Sequence, residues 1–234
     1  MPIYQLDSGL WFPNPYLGEE DGLVAIGGDL SVGRLELAYS NGFFPWFSFY
    51  YNDEPLWYCP LKRFVIFPGE IHVSRSMRKL LASNRYTVTV NEDFAGVING
   101  CSTVDGRNEN YGAWLGDDMI EAYTELHRQG KAMSVEVWEM RESDDGEKQR
   151  ALVGGIYGVT MCNAFFGESM FSRVPSGSKI ALIHVARIAA GLGWHFIDCQ
   201  FETPHLKSMG GRYISYEEYM VLLNGKRNSV GRIR

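Results

Sequence analysis

The apolar and polar positions of this chain change period several times, and each change marks an element. Tyr86 to Val90 is aromatic or β-branched throughout and predicts a strand. From Asp118 to Gln129 the period becomes helical: Met119, Tyr123 and Leu126 share one face, acids fill the first turn, and Gly130 follows the end. Ser134 to Trp138 alternates polar and apolar, an acidic turn follows at Glu142 to Gly146, and Ala151 to Val159 is a second strand. That pair predicts a hairpin. Met161 to Phe171 predicts a third strand, antiparallel to the second. Ser178 then caps a helix through Ala190, stopped by Gly191, and His195 to Gln200 is a last strand. Upstream, Ser74 to Ser83 predicts a short basic helix. The first sixty residues, rich in Gly, Pro and aromatics, hold one helix from the N-cap Ser31 to Gly42, with Leu35, Ala38 and Tyr39 on one side. A meander followed by strand, loop, helix and strand predicts an α+β fold in which helices pack on a sheet. A boundary is expected near Leu61, separating a small N-terminal domain, 1–61, from a larger one, 62–224. The polar stretch 225–234 is expected to be a disordered tail.

The composition suits such a fold. The 234 residues are 45% hydrophobic, 14% aromatic and 21% charged, enough to build a core and unlike a disordered chain. No apolar run is long enough to cross a bilayer. The start, MPIYQLDSGLWFPNP, lacks a basic stretch leading into an apolar one, so no signal peptide is read. Cys59, Cys101, Cys162 and Cys199 show no CxxC spacing and form no zinc pattern with histidine, which suits reduced, mostly buried thiols in the cytoplasm. The histidines show no metal spacing, and no serine sits in GxSxG.

A net charge of −6 argues mildly against nucleic acid as a partner. The charge is uneven, however. Lys62, Arg63, Arg75, Arg78 and Lys79 stand against Glu70 alone, and the stretch from Lys207 to Arg234 is also basic. Such a cluster is either a solvated face or a surface that meets phosphates.

The segment Ala164 to Gln200 concentrates the candidate chemistry. Glu168 interrupts the apolar run Phe165-Phe166-Gly167-Glu168-Ser169-Met170-Phe171, where an unpaired carboxylate is costly. Strand alternation places Phe166, Glu168 and Met170 on one face, and Asp198 and Gln200 together on a face of the last strand. Either these groups satisfy one another inside the core, or two carboxylates and an amide converge at a reacting centre. Arg173 to Lys179 opens onto a helix and offers N–H groups to an anion, though without P-loop spacing. Gly27-Gly28 reads as a turn. Trp46 and Trp114 are expected in exposed loops, where indoles can stack on a base.

At these residues a family likeness emerges. Leu23-Val24-Ala25-Ile26-Gly27-Gly28-Asp29-Leu30, Gly42-Phe43-Phe44-Pro45-Trp46-Phe47-Ser48, Gly167-Glu168-Ser169-Met170-Phe171-Ser172 and Ile197-Asp198-Cys199-Gln200 resemble, in order, motifs of the bacterial leucyl/phenylalanyl-tRNA–protein transferases. So do Ile71 to Met77 and Ser134 to Trp138. The resemblance implies a small N-terminal α/β domain followed by an N-acetyltransferase-like mixed sheet of the acyl-CoA N-acyltransferase superfamily. It implies transfer of Leu or Phe, with Met left open, from leucyl-tRNA or phenylalanyl-tRNA to acceptor proteins beginning with Arg or Lys, marking them for N-end-rule degradation. The ester is already activated, so no cofactor and no metal is implied, and no membrane partner.

Carried over residue by residue, Trp46 and Trp114 match positions that hold the terminal adenosine, with Tyr39 near them. Ile156, Phe165, Leu182 and Ile197 match the pocket for the Leu or Phe side chain. Glu168 matches a carboxylate near the acceptor's basic N-terminus. Asp198 and Gln200 match the pair at the reacting amine, and Arg75, Arg78 and Lys79 match a basic cluster on the tRNA backbone. Position 156 is Ile where Met is familiar, which reshapes the pocket floor. Alternation also puts Ile197 and Phe165 on faces opposite Asp198 and Glu168, so either the sheet splays there or some pocket residues are misassigned. Two other classes are weighed: an acyl-CoA-dependent N-acetyltransferase, whose pyrophosphate loop Arg173 to Lys179 fits poorly, and a tRNA-binding module, which has little use for Glu168, Asp198 and Gln200 together.

Overall fold

The computed structural model describes residues 3–47, 54–103, 116–142 and 145–224. Its frame is two sheets. The smaller has four strands in the order β1 (Tyr4–Leu6), β2 (Leu23–Gly27), β4 (Pro55–Tyr58), β3 (Phe44–Phe47). Only β1 and β2 run parallel. Helix α1 (Val32–Ser40) links β2 to β3, capped by the Ser31 hydroxyl on the Arg34 N–H. Its Leu35, Ala38 and Tyr39 are fully buried, as the helical spacing implies.

The larger sheet has seven strands, in the order β11 (Arg212–Ser215), β5 (Lys62–Ile66), β10 (Phe196–Asp198), β9 (Ala164–Ser172), β8 (Lys148–Met161), β7 (Ala132–Glu142), β6 (Tyr86–Val90). Every adjacent pair is antiparallel except β9 with β10. That parallel pair needs a crossover, and α5 (Gly177–Leu192) supplies it.

Two apolar cores lie on the two faces of this sheet. On one, α3 (Phe94–Thr103), α4 (Asp117–Arg128), α7 (Tyr216–Asn224) and the small sheet pack together. This core is continuous across residue 61: Phe12, Tyr39 and Trp57 belong to one cluster with Tyr123, Tyr157 and Phe166. On the other face, α2 (Arg75–Ala82) and α5 cover Val135, Val137, Ile156, Phe165 and Ile197. The short helix α6 (Pro204–Ser208) adds Leu206 to that side. The architecture is a mixed α+β fold.

Several expected boundaries move, each for a local reason. The strand expected from Met161 to Phe171 is broken by a two-residue turn: Cys162 and Asn163 have φ of 52° and 56°, the twist that joins β8 to β9. Cys-Asn lacks the Asn-Gly signature of such turns, so alternation alone ran through it. The helix expected to be capped by Ser178 begins two residues earlier, with Ser176 at the cap position. Ser176 sits at its start in the left-handed region without a side-chain cap, and the Ser172 hydroxyl receives the Ser178 N–H instead. Its end is Gly193, at φ 70°, rather than Gly191. Helix α3 escapes the sequence reading because it carries two glycines and β-branched residues, poor helix formers. The stretch 225–234 and Trp114 lie outside the described residues.

Candidate active site

The ladder between β9 and β10 is short. It joins Ala164, Phe165 and Phe166 to Phe196, Ile197 and Asp198, and ends there. Beyond it β9 keeps only its partner β8, while the segment after Asp198 turns away at Gln200. The wedge between them is a cavity of about 290 Å³, near the lower end of the range for small-ligand sites. Ile156, Met170, Leu182, Ile197 and Leu206 give it an apolar floor, Glu168, Asp198 and Gln200 a polar wall, and Trp46 and Phe201 a rim.

A β-bulge sets the polar wall. Tyr157 pairs with Ser169 and the next residue, Gly158, pairs with Gly167, so Glu168 is the extra residue of β9. A Cβ at position 158 would lie 2.1 Å from Phe166 O, so only glycine permits this close approach. The bulge shifts the alternation by one. Phe166 faces the core shared with Tyr39 and Tyr123, whereas Met170 packs against the opposite core, with Phe165 and Ile156. The expectation that Phe166, Glu168 and Met170 share a face is therefore corrected. Glu168 still meets Tyr123 on one face of the sheet while Ile197 belongs to the core of the other, and the two share the cavity because β9 and β10 part beyond Asp198.

Glu168 is 8% exposed. Tyr123 OH donates to its Oε2 at 2.7 Å, and Gln200 Nε2 to its Oε1 at 3.2 Å. Tyr39 stands behind this pair, its hydroxyl 2.7 Å from that of Tyr123. Burial pushes the Glu168 carboxyl up to about 7, reinforced by the charge of Asp198 and opposed by the hydrogen bonds from Tyr123 and Gln200. Burial, with the Glu168 charge, holds both phenols well above the usual tyrosine range, so they remain donors.

Asp198 is fully buried, yet the residue is among those that line the cavity. Arg63 Nε donates to both of its oxygens, at 3.0 and 2.9 Å, and Tyr219 OH to Oδ2 at 2.8 Å. Oδ1 also accepts the backbone N–H of Gln200 at 2.8 Å. Gln200 adopts φ 62°, and Phe201 N–H reaches back to Cys199 O at 2.7 Å, a γ-turn with positive φ at its centre. Such a backbone costs on the order of 1–3 kcal/mol and persists only where its surroundings impose it. Cys199 also lines the cavity; burial, then Asp198, pushes its thiol up, which argues against a thiolate nucleophile.

The remaining expected site residues fall into four groups. Ile156, Leu182 and Ile197 meet at the floor. Phe165 is fully buried and packs beneath them, in the core rather than on the cavity surface, because it precedes the bulge. Tyr39 is likewise fully buried and does not line the cavity, its hydroxyl set against Tyr123 and Glu168 behind the wall. Trp46 lies on strand β3 rather than in a loop, 40% exposed, with its ring 5.8 Å from those of Tyr58 and Phe201. Arg75, Arg78 and Lys79 are exposed along α2, away from the cavity lining.

Sequence reasoning missed Arg63, Tyr123, Met170, Phe201 and Leu206. Tyr123 carried a signal: a tyrosine on the buried face of a helix needs a partner for its hydroxyl. Arg63 heads the apolar run Phe64-Val65-Ile66, which hinted at burial, but charge counting placed it in a surface cluster. Among the described residues, no group of His, Cys, Asp and Glu is arranged to hold a metal ion, and no helix is long and apolar enough to cross a membrane.

Known sequences resemble this chain over nearly its whole length. The family described as leucyl/phenylalanyl-tRNA protein transferase matches residues 65–224, and its N-terminal domain matches residues 28–61. The leucyl/phenylalanyl-tRNA–protein transferase of Desulforapulum autotrophicum is 43% identical, over 96% of this chain and 93% of its own length. That of Syntrophus aciditrophicus is 46% identical over 95% of this chain and 88% of its own length. That of Flavobacterium johnsoniae is 43% identical over 96% of this chain and all of its own length. A wedge with a buried carboxylate at its wall thus sits in a chain matched over nearly all of its length, and the chain belongs to the leucyl/phenylalanyl-tRNA protein transferase family.

Proposed function

We propose that this chain transfers Leu or Phe from leucyl-tRNA or phenylalanyl-tRNA to the α-amino group of proteins that begin with Arg or Lys. One observation carries the reading: an apolar floor and a Glu168–Gln200 pair face each other across one cavity. The aminoacyl side chain rests on Ile156, Met170, Leu182 and Ile197. The terminal adenine stacks on Trp46, with Trp114 assigned to the same nucleoside from the sequence. Arg75, Arg78 and Lys79 meet the tRNA phosphates.

The amine nitrogen attacks the ester carbonyl carbon, a C–N bond forms, and the C–O bond to the terminal ribose breaks. Before attack the α-ammonium must lose a proton. Glu168 is the group matched to that task, with a pKa of about 7 and a place on the cavity wall. It returns that proton to the leaving ribose oxygen, takes up the second proton from the nitrogen as the amide forms, and releases it to water. Gln200 donates to Glu168 through its amide nitrogen and offers its amide oxygen to the amine. Much of the rate comes from holding ester and amine together.

Residues 1–61 are read as the unit that presents Trp46, and residues 62–224 as a catalytic unit of N-acetyltransferase-like type. The single parallel pair β9–β10 around α5, opening into the cavity, supports that type. Four free cysteines suit a cytoplasmic setting.

The test is to incubate the chain with labelled leucyl-tRNA and a peptide beginning with Arg, and in parallel with labelled acetyl-CoA. Label in the peptide from leucyl-tRNA is expected. Label from acetyl-CoA alone, or from neither donor, overturns the reading.

A further inference from the structure

We propose that Arg63 is a positioning residue for the transfer reaction: it fixes Asp198 as the anchor of the Gln200 turn and ties that turn to the segment leading to Trp46. This rests on the aminoacyl-transfer reading above.

The contacts of Asp198 leave it no free acceptor site. A carboxylate has about four lone-pair positions. Arg63 Nε approaches both oxygens at 3.0 and 2.9 Å, Tyr219 OH takes Oδ2 at 2.8 Å, and Gln200 N–H takes Oδ1 at 2.8 Å. Arg63 Nη2 lies 2.9 Å from Oδ2 as well. The carboxylate is also fully buried. An incoming amine therefore meets Gln200 and Glu168, while Asp198 acts on it through Gln200.

Arg63 reaches the other half of the site too. Nη2 donates to Gly42 O at 2.8 Å, and the guanidinium lies between two rings, 4.6 Å from Phe44 and 4.9 Å from Tyr219. Gly42 stands at φ 80°, and a Cβ there would come within 2.9 Å of Tyr219 Cε1, so its carbonyl is presented by a backbone that glycine alone adopts without strain. Phe44 and Trp46 follow on β3. One buried cation thus holds the Gln200 turn, at the amine side, against the Gly42–Trp46 segment, at the adenosine side. Arginine suits this role and lysine does not, because the planar fork contacts a carboxylate and a carbonyl together.

The test uses the full chain and steady-state transfer from leucyl-tRNA to an Arg-initiated peptide. The variants are Arg63→Lys, Asp198→Asn, and Arg63→Met combined with Asp198→Asn. For a group misplaced by about an ångström, Arg63→Lys is expected to lower kcat on the order of a hundredfold, with KM for leucyl-tRNA held within about threefold. Asp198→Asn alone leaves a buried guanidinium without its counter-charge. The double variant removes both charges and keeps an amide oxygen at position 198 to accept the Gln200 N–H, so it is expected to exceed Asp198→Asn in kcat by about tenfold. Wild-type kcat in Arg63→Lys, a loss confined to KM, or a double variant no faster than Asp198→Asn overturns the proposal. Wild-type protein that transfers nothing from leucyl-tRNA overturns the aminoacyl-transfer reading, and this inference with it.

Discussion

Gln200 Nε2 stands 3.2 Å from Glu168 Oε1, although 32 residues separate them in the chain. Two distortions bring them together: the bulge that makes Glu168 the extra residue of β9, and the left-handed turn at Gln200. Each is unfavourable by itself, and each is held by a buried partner, Tyr123 for Glu168 and Asp198 for Gln200.

The Glu168 carboxyl makes stability depend on pH. Its pKa is raised from 4.5 to about 7 on folding, so between these values the folded chain binds more protons than the unfolded one. Its contribution to stability is therefore greatest below the unfolded value and falls as pH rises through 7, by on the order of 3 kcal/mol in all. Glu168→Gln removes that dependence. Denaturant melts should show the variant gaining on wild type from pH 5 to pH 8; a difference flat over that range contradicts the assignment. Transfer by wild type should also rise through about pH 7, while the variant is slower and keeps only the limb of the acceptor amine, near pH 8 by its ordinary value.

Tyr123→Phe removes the 2.7 Å bond that favours the ionised carboxylate. A hydrogen bond to a charged group contributes about 1.5–3 kcal/mol, so the lower limb of the pH–rate profile should move upward in the variant. A profile unmoved by Tyr123→Phe would detach the tyrosine from the reacting carboxylate.

Ile156 forms part of the floor and packs with Leu182 and Ile197. Truncation to Ala deepens the cavity. An apolar pocket distinguishes a missing methylene by roughly 1–3 kcal/mol, so competition between phenylalanyl-tRNA and leucyl-tRNA should shift toward Phe by about tenfold in kcat/KM. An unchanged ratio would place the side chain elsewhere.

Arg78 is exposed on α2, its Nε donating to Val73 O at 3.1 Å. Arg78→Ala should reduce the slope of log affinity for tRNA against log salt by about one. The same slope in variant and wild type removes Arg78 from the phosphate contacts.

Much of this arrangement was legible in the sequence because polar residues inside apolar strands are conspicuous. Glu168 between Phe166 and Met170, and Asp198 beside Ile197, marked the right strands, and the spacing of Leu35, Ala38 and Tyr39 marked the right helix face. What failed depended on contacts between distant segments. Alternation assumes an unbroken ladder, and the bulge at Glu168 depends on a glycine across the sheet at position 158. Net charge does not separate a solvated cation from one buried against Asp198, so Arg63 was counted with Arg75 and Arg78. The small sheet was hidden because Leu23 to Gly27, an almost wholly apolar run, has no alternation to detect.

The most direct measurement fills the cavity. Leu182 lines its floor, and Leu182→Trp projects an indole into the space assigned to the Leu or Phe side chain. Transfer from leucyl-tRNA to an Arg-initiated peptide is compared in variant and wild type, with tRNA binding and thermal unfolding measured alongside. The account predicts a folded variant that binds tRNA and has lost transfer by at least about a hundredfold. A folded variant that transfers leucine at the wild-type rate would contradict it, because the wedge beside Glu168 and Gln200 would then not be where the aminoacyl group sits.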